Sequence, residues 1–153
     1  MNIRELDLKE LNNKDLNALA DKIRDYYGNS STMIEIDIET VKNNWTGFIQ
    51  AGLACIFVIE EDGMIVGIIS GLCYPDPLSG KKIAQEVFWY VDSFYRHRGF
   101  GAVLINTFTE WAKLMKAKAV RLAHLVDLRA KENQSLYEGL GYKMAEVTYE
   151  KEI

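Results

Sequence analysis

The chain has 153 residues, 18 Lys plus Arg against 22 Asp plus Glu, a formal net charge of −4 and 48% hydrophobic residues. That balance suits a single domain over residues 1–153, with a core large enough to need neither disulfides nor a structural metal. A net negative chain excludes a broad basic surface, so no nucleic-acid partner is expected.

Cys55 and Cys73 each sit in an apolar run and read as small buried hydrophobes. With two histidines and no Cys-x-x-Cys pair, soft metal ligands are too few for a zinc site, and no metal is expected. Residues 1–5 carry an acid with no apolar stretch behind it, so no secretory or mitochondrial leader is read there. No apolar run is long enough to span a bilayer. A cytoplasmic protein without a membrane partner is the expectation.

In chain order, alternation over residues 2–8 predicts a short first strand. Leu16, Leu19, Ala20, Ile23, Tyr26 and Tyr27 fall at helical spacing, so a helix is predicted over 14–27, with Gly28 as its stop. A polar turn cluster, residues 29–32, precedes a second helix predicted over 39–51, with Val41, Trp45, Phe48 and Ile49 on its apolar face. Residues 54–60 and 64–74 are β-branched and aromatic and flank Glu61-Asp62-Gly63, which predicts a β-hairpin. The run 83–91, apolar on both faces, reads as a central strand.

Residues 99–116 repeat Leu104, Phe108, Trp111, Ala112 and Met115 at helical spacing, with lysines gathered at the C-terminal end where the dipole favours cations. A strand over 119–126, a short helix over 131–139 and one or two strands over 142–153 complete the reading. Strand, two helices, three strands, helix, strand, helix, strand describes a mixed α/β layer fold.

The sharpest chemical signal is Val91-Asp92-Ser93-Phe94-Tyr95-Arg96-His97-Arg98-Gly99-Phe100-Gly101. A central strand ends, a basic glycine-bearing turn follows and a long helix begins. Backbone N–H groups at a helix N-terminus suit a phosphate, and three basic side chains add positive charge beside them. Two glycines after a strand also serve simply to turn a chain into a helix, and the spacing alone leaves both readings open. The turn lacks the Gly-Lys-Ser/Thr ending of a nucleotide-hydrolysing loop and the third glycine of a dinucleotide fingerprint.

Arg96-x-x-Gly99-x-Gly101 after Val91 resembles the acetyl-CoA pyrophosphate signature of the GNAT superfamily of N-acetyltransferases. Leu136-Tyr137-Glu138-Gly139-Leu140-Gly141-Tyr142 looks like that family's second signature. The resemblance covers essentially the whole chain. It implies a GNAT-like acyl-CoA N-acyltransferase fold, with a mixed central sheet of six to seven strands flanked by about four helices. Acetyl-CoA would be the co-substrate. Val91 would offer backbone groups to the pantetheine arm, and Arg96, His97, Arg98, Gly99, Phe100 and Gly101 would hold the pyrophosphate. Tyr137 matches the family's usual general acid, its alternative being a packing residue on a short helix. Ser93 replaces a proline frequent in the first motif. The asparagine that commonly precedes the tyrosine is matched by Ala130, and Asn133, displaced from it, is the polar candidate for a CoA contact.

An attacking amine must lose a proton, which calls for a general base. Glu86 on the central strand is the first candidate, since alternation puts it on one face with Phe88 and Tyr90 and a carboxylate in an apolar strand costs free energy unless paired or functional. The competing reading has Glu86 reach solvent or Lys82. His124 is a second candidate base, and Asp92 reads as structural. For the acceptor, the resemblance points to the first two helices, hence Tyr27 and Trp45, with Tyr26, Met33 and Tyr74 beside them; each also suits a core.

The reading is thus an N-acetyltransferase acting on a primary amine of a small molecule or a protein, by direct transfer in a ternary complex. The rivals are a CoA-binding or interaction module with the same fold, and a transferase of another acyl-CoA. An exposed sheet edge near the C-terminus would permit a homodimer.

Overall fold

In the computed structural model, the described residues are 1–6, 13–28 and 37–153, with the side chains of 13–16 excluded. The end of the first predicted strand, Leu16, the turn cluster 29–32 and Met33 lie outside them. The elements are β1 (Asn2–Glu5), α1 (Asn13–Gly28), α2 (Ile38–Gln50), β2 (Ala54–Glu61), β3 (Met64–Pro75), β4 (Lys82–Val91), a 3-10 turn (Ser93–Tyr95), α3 (Phe100–Leu114), β5 (Ala119–Arg121) and α4 (Ala130–Gly139). The strands form one sheet in the order β1-β2-β3-β4-β5, antiparallel except for the parallel β4–β5 pair.

Each face of the sheet carries its own apolar core. Alternation along β2 sends Cys55, Phe57 and Ile59 to the face covered by α3, where Leu104, Ile105 and Phe108 are fully buried. Ala54, Ile56 and Val58 point the other way, against Leu19 and Ile23 of α1 and Trp45 of α2. Helix α2 starts where predicted because the Asp37 carboxylate accepts the Glu39 N–H at 3.1 Å and the Thr40 hydroxyl at 2.6 Å.

Two sequence expectations are corrected. The sheet has five strands, not six to seven, and the predicted strand 119–126 stops at Arg121. Residues 142–153 join no strand, and Met144, Val147, Tyr149 and Ile153 stand exposed. Apolar alternation makes a segment suitable for a sheet but supplies no partner edge, and the ladder continuing from β5 is taken by side chains.

A β-bulge interrupts β4. Ser70 pairs with Phe88 and Gly71 with Glu86, so Val87 is the extra residue. Ala84 therefore packs under α3 while Phe88 and Tyr90 pack under α1. The unbroken face expected for Glu86, Phe88 and Tyr90 is split at Val87. Gly71 is required at this point because a Cβ there would lie 2.4 Å from the Phe108 ring and 2.7 Å from the Gln85 carbonyl.

Candidate active site

Beyond the bulge, β4 has an uncovered edge. Strand β5 pairs with β4 only at Ile83, Ala84 and Gln85. Asp92 N–H bonds to the Val66 carbonyl and Gly67 faces Val91. By the alternation of an antiparallel ladder, Trp89 and Val91 then turn their N–H and C=O groups to the opposite edge, away from β3.

Across that gap the chain after β5 bonds to side chains. Ala123 N–H donates to Glu86 Oε2 at 3.1 Å, and the Tyr137 hydroxyl donates to the Ala123 carbonyl at 2.9 Å. Residues 86 and 137, from β4 and α4, thus satisfy backbone groups that a neighbouring strand would otherwise satisfy.

Glu86 is 7% exposed. Burial pushes its carboxyl up to about 7, against a smaller opposing effect of the Ala123 N–H. Burial likewise raises Tyr26 to about 12, with the Glu86 charge adding to it and the Leu125 N–H opposing. Tyr27 and Tyr137 are raised by burial first and by Glu86 second. The carboxylate therefore sits among three phenols.

Tyr137 owes its position to the end of α4. Gly141 has φ +88°; its N–H bonds to the Glu138 carbonyl at 3.0 Å and Tyr142 N–H to the Tyr137 carbonyl at 2.9 Å. This Schellman pair closes the helix. The Tyr142 hydroxyl adds a 2.7 Å bond to Thr109 on α3. The Tyr137-x-x-Leu140-Gly141-Tyr142 pattern is thus a helix cap as well as a source of a phenol.

A cavity of about 540 Å³ lies along the uncovered edge, with Tyr26, Trp89 and Val91 on one side and Arg96, Gly99 and Gly101 at its end. Its lining includes neither Glu86 nor Tyr137. Gly99 is left-handed with φ +80°, and no atom lies within 4 Å of a Cβ placed there. The first bond of α3 runs from Val103 N–H to the Gly99 carbonyl at 3.1 Å, so the N–H groups of Phe100, Gly101 and Ala102 precede the ladder. Gly101 is needed for closeness instead, since its Cβ would lie 2.8 Å from the Trp89 ring. Among the described residues the buried Trp89 Nε1 has no hydrogen-bond partner.

The predicted turn residues divide. His97, with φ +68°, lines the cavity, as does Asn133, whose amide donates to the Leu128 carbonyl at 3.2 Å. Arg96 Nε donates to the Val91 carbonyl at 2.9 Å, so of the Val91 backbone groups expected for pantetheine, the carbonyl is already engaged. The Arg98 guanidinium lies over Tyr95 and Phe100, 4.0 Å from Glu61, outside the lining of the cavity. The Phe100 side chain is core, so only its N–H can face a phosphate.

Of the acceptor residues, Tyr27 stacks on Phe88 and lies within the field of Glu86. Trp45 is 9% exposed and edge-on to Phe48, the buried side chain that seats α2 on the sheet. His124 lies 5.8 Å from the Tyr137 ring. Asp92 is structural as expected, paired with Lys22 at 2.5 Å. Cys55 and Cys73 are buried, and burial raises both thiols, keeping them neutral. The role of Ala123 left no sequence signal, because its backbone groups carry it.

The Acetyltransferase (GNAT) family model matches residues 16–142. The chain belongs to the GNAT family. This GNAT chain is similar to N-acetyltransferase family 8 member 3 of Mus musculus, 24% identical over 102 residues, covering 67% of this chain and 44% of that protein. It thus spans less than half the length of that curated relative. Among solved structures, a ribosomal-protein-alanine N-acetyltransferase from Brucella melitensis biovar Abortus 2308 superposes with TM-score 0.72 at 18% identity, covering 100% of both chains. A predicted acetyltransferase of Clostridium acetobutylicum, solved with acetyl-CoA, gives TM-score 0.76 at 14% identity, with 99% of this chain and 95% of that one covered. At such identities the structures establish a shared GNAT fold. Among the described residues, no helix of this GNAT chain is long and apolar enough to cross a membrane, and no cluster of metal-ligating side chains occurs.

Proposed function

We propose that residues 1–153 act as one unit that moves the acetyl group of acetyl-CoA directly to a primary amine. The observation that carries this reading is a buried carboxylate with phenol groups around it, beside a cavity that ends on a helix N-terminus. The cavity fits a CoA thioester: Gly99 leaves open space, unladdered N–H groups of α3 face a pyrophosphate, and Trp89 Nε1 is a donor without an acceptor. Bound there, acetyl-CoA supplies an activated acyl carbon with a thiolate leaving group.

Glu86 accepts the amine proton. Its pKa near 7 makes it a base at neutral pH and an acid once loaded. Backbone N–H groups on the uncovered edge of β4, at Trp89 and Val91, are the donors available to the negative charge that develops on the acyl oxygen. A tyrosine hydroxyl protonates the departing sulfur, the role the resemblance gives to Tyr137. Arg96, His97, Gly99, Gly101 and Asn133 hold the CoA, and Tyr27 borders the amine. The buried thiols of Cys55 and Cys73 support direct transfer over an acetyl-cysteine.

Calorimetric titration with acetyl-CoA, followed by thiol release with a panel of primary amines, tests the proposal. The panel is 1,4-diaminobutane, 2-phenylethylamine, glucosamine and a tripeptide with a free N-terminus. Tight binding with amine-dependent release is the expected result. Binding without release on any amine favours a CoA-binding module, faster release from propionyl-CoA favours another acyl donor, and absence of binding defeats both.

A further inference from the structure

At the end of β4 the ring and the hydroxyl of Tyr90 engage different elements. The hydroxyl donates to the Asp25 carboxylate on α1. Two cations lie over the ring, Lys22 with Nζ 5.9 Å from its centroid and Arg96 with Cζ 5.7 Å from it, both within reach of a cation–π attraction. Lys22 is committed elsewhere, since its ammonium bonds both Asp92 carboxylate oxygens at 2.6 and 2.5 Å. Arg96 instead lines the cavity, together with Asp25 and Tyr90. Its Nε donates to the Val91 carbonyl at 2.9 Å, and the remaining N–H donors of the guanidinium sit on its Nη atoms. One hydrogen bond lets such a group pivot; a ring face against it restricts the pivot. The ring itself is fixed, because Tyr90 is 8% exposed, stacks on Phe88 at 6.4 Å and meets Tyr26 edge-on at 6.3 Å.

We infer that Tyr90 is a positioning residue with two jobs. Its ring holds the Arg96 guanidinium at the end of the cavity that takes the pyrophosphate, and its hydroxyl, through Asp25, ties that end to α1, the helix that carries Tyr27. This inference rests on the acetyl-transfer reading. A guanidinium already ordered before acetyl-CoA arrives loses less side-chain freedom on binding, so the ring contributes to affinity without touching the ligand's phosphates. The hydroxyl contributes on the amine side, by keeping α1 against β4.

Phenylalanine, 3,5-difluorophenylalanine and 3,4,5-trifluorophenylalanine at position 90 test both jobs, since fluorine keeps the ring and drains the negative charge from its face. Tyr90→Phe is expected to keep the Kd for acetyl-CoA within about twofold by calorimetry and to raise the amine KM by about threefold or more, with kcat little changed. Along the fluorinated series the Kd is expected to rise stepwise, by about 2–5-fold in all. In an Arg96→Gln background, which keeps the Lys22 contact, the series is expected to leave Kd flat. A Kd that is flat in the wild-type background, or that rises equally with Arg96→Gln, overturns the role of the ring, and an unchanged amine KM in Tyr90→Phe overturns the tie to α1. A wild-type protein that binds no acetyl-CoA overturns the transfer reading itself. Should Tyr90→Phe fail to fold, 3,5-difluorotyrosine at position 90, titrated below its phenol pKa, keeps the hydroxyl bond; weaker acetyl-CoA binding is expected, and an unchanged Kd overturns the role of the ring.

Discussion

The turn after β4 and the seam between β4 and residues 122–126 border the same stretch of uncovered strand, yet they are made in opposite ways. The turn is contiguous in sequence and works through backbone: a left-handed Gly99, the first N–H groups of α3 and an Arg96 tied to Val91. The seam draws side chains from β4 and α4 onto the backbone of Ala123. A local backbone device tolerates many side chains around it, because its donors belong to no particular residue type. An assembled one depends on each side chain, since each satisfies a backbone group that no strand satisfies.

The largest expected effect falls on the seam. Glu86→Gln keeps the shape and removes the proposed base, so kcat should drop by about 10²–10⁴-fold above pH 7. Wild-type turnover should climb as pH rises through about 7, where Glu86 loses its proton, and the variant should lack that limb. A pH-rate profile of the variant that retains the limb would assign it to another group.

The same substitution should move stability the other way. With its pKa raised from 4.5 to about 7 in the fold, Glu86 binds its proton more tightly when native than when unfolded. Its contribution is therefore favourable at low pH and is lost between about 4.5 and 7, where ionisation of the buried group begins to oppose folding. Glu86→Gln should be nearly neutral at pH 4 and stabilising at pH 8, by up to about 3 kcal/mol. Urea unfolding at the two pH values checks this, and equal midpoint shifts would mean that Glu86 titrates in the fold as it does in the unfolded chain.

On the turn, Gly101→Val should cost about 1–3 kcal/mol by driving a side chain into Trp89, and should weaken acetyl-CoA binding by displacing that indole. A variant that binds acetyl-CoA with unchanged heat would separate Trp89 from the CoA site. The smallest effect is expected at the cap of α4. Gly141→Ala forces a left-handed φ on a residue with a Cβ, for about 1–2 kcal/mol and a Tm lower by about 2–6 °C. Scanning calorimetry reads it directly, and a Tm unchanged by the substitution would show that α4 and Tyr137 are held by packing alone.

Much of the turn was legible in the sequence. Arg96, Gly99 and Gly101 keep their order in space because strand, turn and helix follow one another, and Leu140-Gly141-Tyr142 forms a cap from consecutive residues. Arg98 and Trp45 were less legible: neighbours in sequence share a turn or a helix, but whether a side chain faces a cavity, a ring or a core depends on what packs against it.

The sequence by itself determined the helices, the hairpin, the central strand and the glycine-bearing turn after it, since apolar period, capping residues and glycine positions act over a few residues. Only the tertiary structure decided that the sheet of the described residues stops at five strands, that a bulge at Val87 lets Glu86 reach Ala123, and that the Tyr137 hydroxyl gives its hydrogen to the Ala123 carbonyl. The physical reason is that strand periodicity specifies a face and no partner. Which N–H and C=O groups meet other strands, and which meet side chains from distant elements, is settled when the layers pack.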